Sequence, residues 1–340
     1  MLDPAIAAVR LAVRTALAPL EGSAATVLVA LSGGADSLAL AAAAAFEAPR
    51  LGLRVVSVTV DHGLQEGAAE VAARAAEQAR MAGVTDARIV RVEVGAEGGP
   101  EAAARTARYA ALREAAAETG AVAVLLGHTL DDQAETVLLG LARGAGAGSL
   151  AGMAPRRAER GLAWIRPLLA IRREQTHGFC EASGLEPWHD PHNADARFSR
   201  VRVRRAVLPM LEAELGPGVA LALARTAEQL REDNEAFAEM IDETIEDIVE
   251  HIEAGIAISV PALAANPPAL RHRIIRHVAQ SEFGASLTRT QTLEVARLVS
   301  DWQGQGPIDL PGFVADRRGA LIAFTARGAE QGSEEQGGAG

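Results

Sequence analysis

Four apolar, β-branched segments recur in the first 126 residues, and alanine-rich stretches of helical length separate them. This alternation predicts an α/β fold in which helices cover both faces of a parallel sheet. In open sheets of this kind, ligands bind beyond the carboxyl ends of the strands, so candidate site residues are expected there. The predicted strands are residues 25–31, 54–60, 88–94 and 121–126.

The pattern changes after a glycine-rich connection at residues 144–155. The next helix is predicted over residues 172–183, and a long acidic amphipathic helix over residues 230–253. Two apolar segments, 309–314 and 320–324, indicate a final hairpin. We therefore predict a nucleotide-binding domain at residues 1–205, a smaller, mainly helical domain at 206–330 and a disordered tail at 331–340.

Composition excludes several kinds of chemistry. Cys180 is the only cysteine, so the chain forms no internal disulfide, no cysteine-based zinc site and no iron–sulfur cluster of its own. All 33 basic residues are arginine, which excludes a Walker-A lysine and a Schiff-base lysine. No stretch approaches the roughly 18 consecutive apolar residues of a membrane helix, and no signal peptide is evident, so a cytoplasmic location is expected.

Charge is distributed unevenly along the chain, although the net charge is −11. Residues 143–205 contain twelve arginines and six acidic residues, whereas residues 206–260 contain thirteen acidic residues and two arginines. The basic segment is a candidate for contact with nucleic-acid phosphates. A solvated charged surface is the alternative interpretation.

The clearest candidate for phosphate binding follows the first strand, where residues 32–37 are Ser-Gly-Gly-Ala-Asp-Ser. Two glycines let the backbone turn tightly and present its N–H groups, and the following helix adds the positive end of its dipole. Asp36 would repel phosphate without an intervening cation, so its expected role is to hold Mg²⁺. An ordinary glycine-rich turn is the alternative.

Polar residues also follow the second and fourth strands. Asp61 and His62 end the second strand, where a polar cap explains them equally well. After the fourth strand, residues 127–136 are Gly-His-Thr-Leu-Asp-Asp-Gln-Ala-Glu-Thr and begin a helix. An acidic first turn complements a helix dipole, but Asp132 also lies where it could complete a two-carboxylate magnesium site with Asp36.

Residues 32–37 resemble the signature of the N-type ATP pyrophosphatases, which cleave ATP to AMP and pyrophosphate while adenylating a substrate. Within that superfamily, ordered segments resemble the tRNA(Ile)-lysidine synthase family over about residues 25–205. Val201 departs from this family, which usually has asparagine there. Residues 271–276 also resemble the family, but the resemblance does not show how the C-terminal region contacts tRNA. The ordered segments are residues 60–64, 104–109, 127–136, 143–144, 150–153, 166–169, 190–193 and 198–204.

The resemblance implies an adenine nucleotide alpha hydrolase-like (PP-loop) domain that uses ATP and Mg²⁺. Its partners would be free L-lysine and tRNA(Ile) with a CAU anticodon, whose wobble cytidine becomes lysidine through an adenylated intermediate, so that decoding changes from AUG to AUA. A homodimer is left open. The implied ATP-binding residues are Ser32, Gly33, Gly34, Ala35, Asp36, Ser37 and His62. The implied catalytic residues are Asp36, Asp132, His128, Arg108 and Arg204, with Asp36 and Asp132 as metal ligands. The arginines expected to contact tRNA are Arg197, Arg200, Arg202 and Arg205.

Three other functions compete with this one. A tRNA cytidine thiolase of the same superfamily is disfavoured by the single cysteine, because sulfur transfer typically needs a pair of thiols or a cluster. A GMP synthetase would carry a glutamine amidotransferase domain, which the sequence does not resemble. A non-catalytic nucleotide sensor needs neither the arginine-rich segment nor a second carboxylate opposite the loop.

Overall fold

The computed structural model describes residues 2–63, 67–95, 99–144, 146–190, 195–252 and 255–327. The chain forms two compact units, Met1–Arg231 and Glu232–Gly340. The sequence placed a domain boundary after Arg205, whereas residues 206–231 lie with the first unit. The predicted disordered tail, residues 331–340, lies outside the described residues.

The first unit is built on a six-stranded sheet with the order β3-β2-β1-β4-β6-β5. Neighbouring strands are parallel except for β5, which pairs with β6 in the antiparallel direction at one edge. The four strands predicted from the sequence are confirmed. The strands are β1 (Thr26–Ala30), β2 (Arg54–Asp61), β3 (Asp86–Arg91), β4 (Ala121–Leu125), β5 (Arg156–Glu159) and β6 (Leu162–Ile165).

Helices cover both faces of this sheet, as the sequence predicted. On one face, α1, α2, α3 and α7 enclose a core that contains Val29 and Leu38. On the other face, α4 packs Leu112 against Leu28 and Trp164. The short alanine side chains of α2 and α3 let these helices lie close to the sheet and to each other. The helices are α1 (Pro4–Leu17), α2 (Ala35–Glu47), α3 (Ala68–Met81), α4 (Pro100–Thr119), α5 (Leu130–Ala142), α6 (Ala147–Leu150) and α7 (Arg173–Ala182).

The basic segment continues into helical structure. A π-helical turn, Val203–Val207, follows α8 and lies beside α5, with Leu208 of the next helix in a small core with Leu130 and Ala134. The helices of this region are α8 (Ser199–Arg202), α9 (Leu208–Leu215) and α10 (Val219–Ile248).

The second unit is an antiparallel sheet with the order β7-β8-β11-β10-β9, against which helices pack. A final hairpin is present, since Phe313 of β10 pairs with Ala326 of β11, but the first predicted segment, 309–314, spans the end of β9 and the start of β10. The long acidic helix begins and ends earlier than predicted, at Val219 and Ile248, and residues 249–252 form β7 because pairing with β8 offers them a sheet partner. The elements are β7 (Val249–Ile252), β8 (Gly255–Ser259), α11 (Val260–Ala265), α12 (Pro268–Phe283), α13 (Arg289–Ser300), β9 (Ile308–Leu310), β10 (Phe313–Arg318) and β11 (Leu321–Ala326).

Within the described ranges, no single helix is both long and apolar enough to cross a membrane. One helix pair, Ser199–Leu215 with Val219–Ile248, passes by length and composition only and is bent by 100°.

Candidate active site

The loop between β1 and α2 has the form that the sequence predicted for a phosphate-binding turn. Gly33 has φ +82°, and a Cβ atom there would lie 3.2 Å from the Cβ of Ala75, so both conformation and space favour glycine. The amide of Ser32 donates to Oγ of Ser37 (3.1 Å), and that hydroxyl donates to the carbonyl of Gly34 (3.0 Å). These bonds hold the loop closed at the N-terminus of α2, where backbone N–H groups suit an anion.

A cleft of about 510 Å³ opens beyond the carboxyl ends of β1, β2 and β4. It brings together most of the site residues predicted from the sequence. Gly33 and Ala35 belong to the loop but do not line the cleft. The predicted residues that do line it are Ser32, Gly34, Asp36, Ser37, His62, Arg108, His128, Asp132 and Arg204.

Asp36 lies in the first turn of α2 and is the more accessible of the two candidate metal ligands. Its Oδ1 accepts a hydrogen bond from the hydroxyl of Thr176, and its Oδ2 lies 3.8 Å from Nε of Arg173. Burial raises the pKa of Asp36; the Thr176 hydrogen bond opposes this shift, and the negative charge of Asp132 adds to it. A cation beside Asp36 would offset that penalty.

Asp132, in the first turn of α5, accepts hydrogen bonds at both of its carboxylate oxygens. It forms a capping box with Thr129, whose backbone N–H (2.9 Å) and hydroxyl (3.1 Å) both donate to Oδ2. Its Oδ1 accepts from Arg173 (2.9 Å) and from Arg204 (3.1 Å). Burial by itself would raise the pKa of Asp132, but Arg173, the Thr129 amide, His128 and Arg204 outweigh it and lower the pKa. Asp132 is therefore an anchor for two arginines as well as a candidate ligand.

Glu135, one turn later on α5, was not among the predicted site residues. Its side chain has no exposed surface, and three arginines surround it. Arg204 donates to both carboxylate oxygens, at 2.7 and 3.0 Å. Arg173 donates at 3.4 Å, and Nε of Arg200 lies 3.5 Å from Oε2. A buried carboxylate thus fixes the three guanidinium groups beside the cleft.

Two neutral histidines face the same cleft. Burial lowers the pKa of His128 to about 4, an effect that Asp132 opposes and that Arg166, Arg105 and Arg200 reinforce. Burial and then Arg108 lower the pKa of His62. At neutral pH, His128 is therefore an uncharged ring that can accept a proton or a hydrogen bond.

The four arginines expected to contact tRNA differ in their surroundings. Arg200 donates to the hydroxyl of Thr136 (2.7 Å) and faces Glu135, so it is turned toward the cleft wall. Arg197 is exposed and pairs with Asp195 at 2.6 Å, and Arg202 donates to two backbone carbonyls. Arg205 is exposed.

Sequence reasoning also missed Arg173 and Thr176, which come from α7. Both contact Asp36, yet they follow Asp36 by more than 130 residues, and no local motif marks them. Only the packing of α7 beside α2 brings them to Asp36. Glu135 had a local signal, since it follows Asp132 by three residues and so lies on the same helix face. Val201, at the position where asparagine was expected, is buried on α8.

Comparisons with known proteins identify the family of this chain. A PP-loop domain model matches residues 9–211, and a TilS substrate binding domain model matches residues 258–322. A tRNA(Ile)-lysidine synthase of Leifsonia xyli subsp. xyli is 59% identical over 88% of this chain and 90% of its own. One from Salinispora tropica is 52% identical over 95% and 97%.

One solved structure resembles this chain in fold alone. The U34-tRNA thiolase NcsA from Methanococcus maripaludis, solved with its [4Fe-4S] cluster, superposes with a TM-score of 0.58 at 21% identity. The match covers 67% of this chain and 80% of the thiolase. By the family models and by the identity and coverage of its relatives, the chain belongs to the tRNA(Ile)-lysidine synthase family.

Proposed function

We propose that this chain is an ATP-dependent ligase that converts the wobble cytidine of CAU-anticodon tRNA(Ile) to lysidine with free lysine. One observation carries the proposal. The residue 32–37 loop, with Asp36, and Asp132 line the same cleft as three arginines, in a chain 59% identical to a tRNA(Ile)-lysidine synthase. The arginines are Arg105, Arg108 and Arg204. A cytoplasmic location and a homodimer remain predictions, and sedimentation of the purified protein tests the second.

The first half-reaction joins cytidine and ATP. The C2 oxygen of the wobble cytidine forms a bond to the α-phosphorus, and the bond from that phosphorus to the bridging oxygen breaks, so pyrophosphate leaves. The loop that contains Ser32, Gly33, Gly34 and Ser37 would cradle the departing pyrophosphate, because its N–H groups and hydroxyls lie at the positive end of α2. His62 would lie beside the nucleotide at the end of β2.

The carboxylates of Asp36 and Asp132 make the cleft suitable for Mg²⁺. Mg²⁺ commonly binds one or two carboxylates together with substrate phosphates, and it would supply positive charge for the leaving pyrophosphate. Asp36 fits as a ligand, since within the described residues its carboxylate accepts a hydrogen bond from Thr176 and its ion-pair partner, Nε of Arg173, lies 3.8 Å away. Asp132 would be the second carboxylate, but its four hydrogen bonds use the lone pairs of both oxygens. Binding of the ion by Asp132 would therefore require one of the two arginines on its Oδ1 to be displaced.

Three further residues that line the cleft would stabilise or orient the nucleotide. Arg204, anchored by Asp132 and Glu135, and Arg108 would stabilise the negative charge on the α-phosphate. His128 would orient the nucleotide as a neutral ring.

In the second half-reaction the ε-amine of lysine attacks C2, loses a proton and displaces AMP, so the C2–O bond breaks as the C2–N bond forms.

A labelling experiment tests the proposal. Purified protein is incubated with ATP, Mg²⁺, labelled lysine and unmodified tRNA(Ile), and the wobble nucleoside is analysed by mass. Lysidine carrying the label is expected, with release of AMP and pyrophosphate. Matched controls are the Asp36→Asn variant and a tRNA(Ile) transcript with uridine at the wobble position. Appearance of 2-thiocytidine with a sulfide source, or no label in tRNA, would reject the proposal.

A further inference from the structure

Trp188 is a partly exposed aromatic residue at the cleft. The chain contains three tryptophans and one tyrosine, and two of these four, Trp188 and Tyr109, line the cleft. The ring of Tyr109 is already in use: its centre lies 4.9 Å from that of Trp164 and 4.8 Å from the guanidinium of Arg105. In the part of the chain that the structure describes, the indole of Trp188 makes no ring contact, cation–π contact or hydrogen bond. Its ring is therefore available to a ligand.

Backbone hydrogen bonds hold Trp188 beside the phosphate-binding loop. Its N–H donates to the carbonyl of Gly33 (2.9 Å), and a Cβ atom at Gly33 would lie 3.9 Å from the Cβ of Trp188. Two residues earlier, the side-chain amide of Gln78 on α3 donates to the carbonyl of Glu186 (2.8 Å) and accepts from its N–H (2.6 Å). Pro187, between these two anchors, has a restricted φ. A residue held in this way loses little conformational freedom when it binds a ligand.

The cleft has an apolar region on each face of the sheet edge. Side chains alternate along β2, and Val58 belongs to the core that α4 forms with Leu112; both residues line the cleft. Trp188 lies on the opposite face, beside α3, because Gln78 of that helix holds its segment, and Val71 of α3 also lines the cleft. The proposed reaction brings two nucleobases together, the adenine of ATP and the wobble cytosine. The cleft thus offers one apolar region for each base.

The two regions differ in their access to solvent. Val58 and Leu112 are each 1% exposed, so the region beside α4 has a buried floor. Trp188 and Val71 are both partly exposed, so the region beside α3 is open. A free nucleotide can enter an enclosed region, whereas a base attached to a folded RNA needs an open one. The open region therefore favours the base of the RNA.

We infer that Trp188 stacks on the wobble cytosine of the RNA substrate and holds it beside the phosphate-binding loop. The inference rests on the proposed function, which supplies that cytosine. An anticodon base lies in a single-stranded loop, where it can leave its neighbours and stack on an aromatic side chain. Stacking does not depend on the identity of the base, so Trp188 would contribute affinity and position and would leave the choice of cytosine to polar groups.

A coupling measurement on the full chain tests this contact. Dissociation constants are measured for unmodified tRNA(Ile) and for the same tRNA with an abasic site at the wobble position, without nucleotide and again with α,β-methylene ATP. The proteins are the wild type, Trp188→Ala and Trp188→Phe. Loss of one stacked base should weaken binding of the cytidine-containing tRNA to Trp188→Ala by roughly 5- to 150-fold and leave the abasic tRNA unaffected. Trp188→Phe keeps a ring and should retain most of the affinity.

Three results of this measurement would overturn the inference. The first is a Trp188→Ala variant that binds both tRNAs as the wild type does under both conditions. The second is an equal loss for the two tRNAs, which, with a lower midpoint of thermal unfolding, would mean a structural role. The third is a Trp188→Phe variant as weak as Trp188→Ala, because the aromatic ring would then not be the group that binds.

Trp302→Ala is the matched control. It removes the same side chain from an exposed position that does not line the cleft, where the guanidinium of Arg317 lies 5.2 Å from the ring centre. Whatever its effect on overall affinity, this variant should bind the two tRNAs in the wild-type ratio. A change in that ratio as large as the change in Trp188→Ala would show that the effect is not specific to the cleft and would overturn the inference.

ATP and tripolyphosphate distinguish the two bases. Both ligands carry phosphates for the loop, but only ATP carries adenine. With Mg²⁺ and without tRNA, the ratio of their affinities should be the same in the wild type and in Trp188→Ala. A ratio that falls in the variant would mean that Trp188 stacks on adenine, and this would overturn the inference.

None of these binding measurements requires lysine or turnover. A failure of lysidine formation in the wild type would therefore leave the coupling between Trp188 and the wobble base interpretable, and an absence of coupling would leave the labelling experiment intact.

Discussion

Nε of Arg204 lies 2.7 Å from Oε1 of Glu135, a carboxylate with no exposed surface. The same carboxylate faces Arg173 and Arg200, so one negative charge organises three guanidinium groups at the wall of the cleft. Removing one partner of a buried ion pair leaves the other charge unpaired and is strongly destabilising. Glu135 therefore links the stability of the first unit to the placement of Arg204, the arginine proposed to act in catalysis.

For Glu135→Gln we expect the free energy of unfolding to fall by roughly 3 kcal/mol or more, with loss of lysidine formation. Chemical denaturation and the labelling assay measure the two effects. Glu174→Gln is the matched control, because Glu174 is exposed in the first turn of α7 and the charge change is the same. Equal stability of the two variants would show that the arginines do not depend on Glu135.

Asp36→Asn and Asp132→Asn should both lose activity at limiting Mg²⁺, but they should differ in stability. Burial raises the pKa of Asp36, so its ionised form opposes folding at neutral pH, and Asp36→Asn should unfold at the same or a higher denaturant concentration. The pKa of Asp132 is lowered, so its contribution to stability is present above the unfolded pKa and is lost as pH falls. Asp132→Asn should therefore be less stable at pH 7. Near-normal turnover of both variants would reject their assignment.

The sequence was sufficient to predict the central strands and the phosphate-binding loop, because both depend on local patterns. Gly33 needs a positive φ and space, and Asp132 lies in the first turn of a helix whose start is specified by its capping box with Thr129. Arg173 and Thr176 could not be predicted in this way. They reach Asp36 only through the packing of α7 on α2, and an arginine or a threonine in a helix carries no local sign of such a role.

The antiparallel sheet of the second unit shows the same limit. Residues 249–252 continue an amphipathic pattern that suits a helix, but β7 forms there because β8 provides a partner strand. The presence of a final hairpin was predictable from two apolar segments, but the bounds of its first strand were not, because residues 309–314 are divided between β9 and β10. Whether residues 249–252 form a strand or a helix depends on pairing with a distant segment, which the local sequence does not reveal.

The exposed arginines of residues 197–205 should contribute to tRNA binding independently of Arg200. In a triple variant with alanine at positions 197, 202 and 205, each lost phosphate contact should flatten the salt slope by about one unit or slightly less. Arg200→Ala should instead lower stability with little change in slope, because Arg200 faces Glu135 and donates to Thr136. Binding against salt and thermal unfolding distinguish these effects. An equal slope in the triple variant and the wild type would leave the exposed arginines without a role in binding.

His128 should make the stability of the protein depend on pH. Its pKa falls from 6.5 to about 4 on folding, so between those values the unfolded chain binds a proton that the folded chain does not. As pH falls through this window, the free energy of unfolding should decrease by up to about 3 kcal/mol. His128→Asn should lack this contribution, whereas a change at the exposed His251 should leave it in place. The same pH dependence in His128→Asn as in the wild type would contradict the assignment.

Cys180 should be dispensable, since its thiol is buried and its Sγ donates to the carbonyl of Ala35 at 3.4 Å. Burial, reinforced by the negative charge of Asp36, raises the pKa of Cys180 to about 12, so at pH 8 it is a protonated thiol and a poor nucleophile. Iodoacetamide should therefore label it slowly in the native protein and rapidly in denaturant. Cys180→Ser keeps a hydrogen-bond donor of similar size and should retain most lysine incorporation. Complete loss of product in this variant, together with 2-thiocytidine formation by the wild type, would favour sulfur transfer over amine attack.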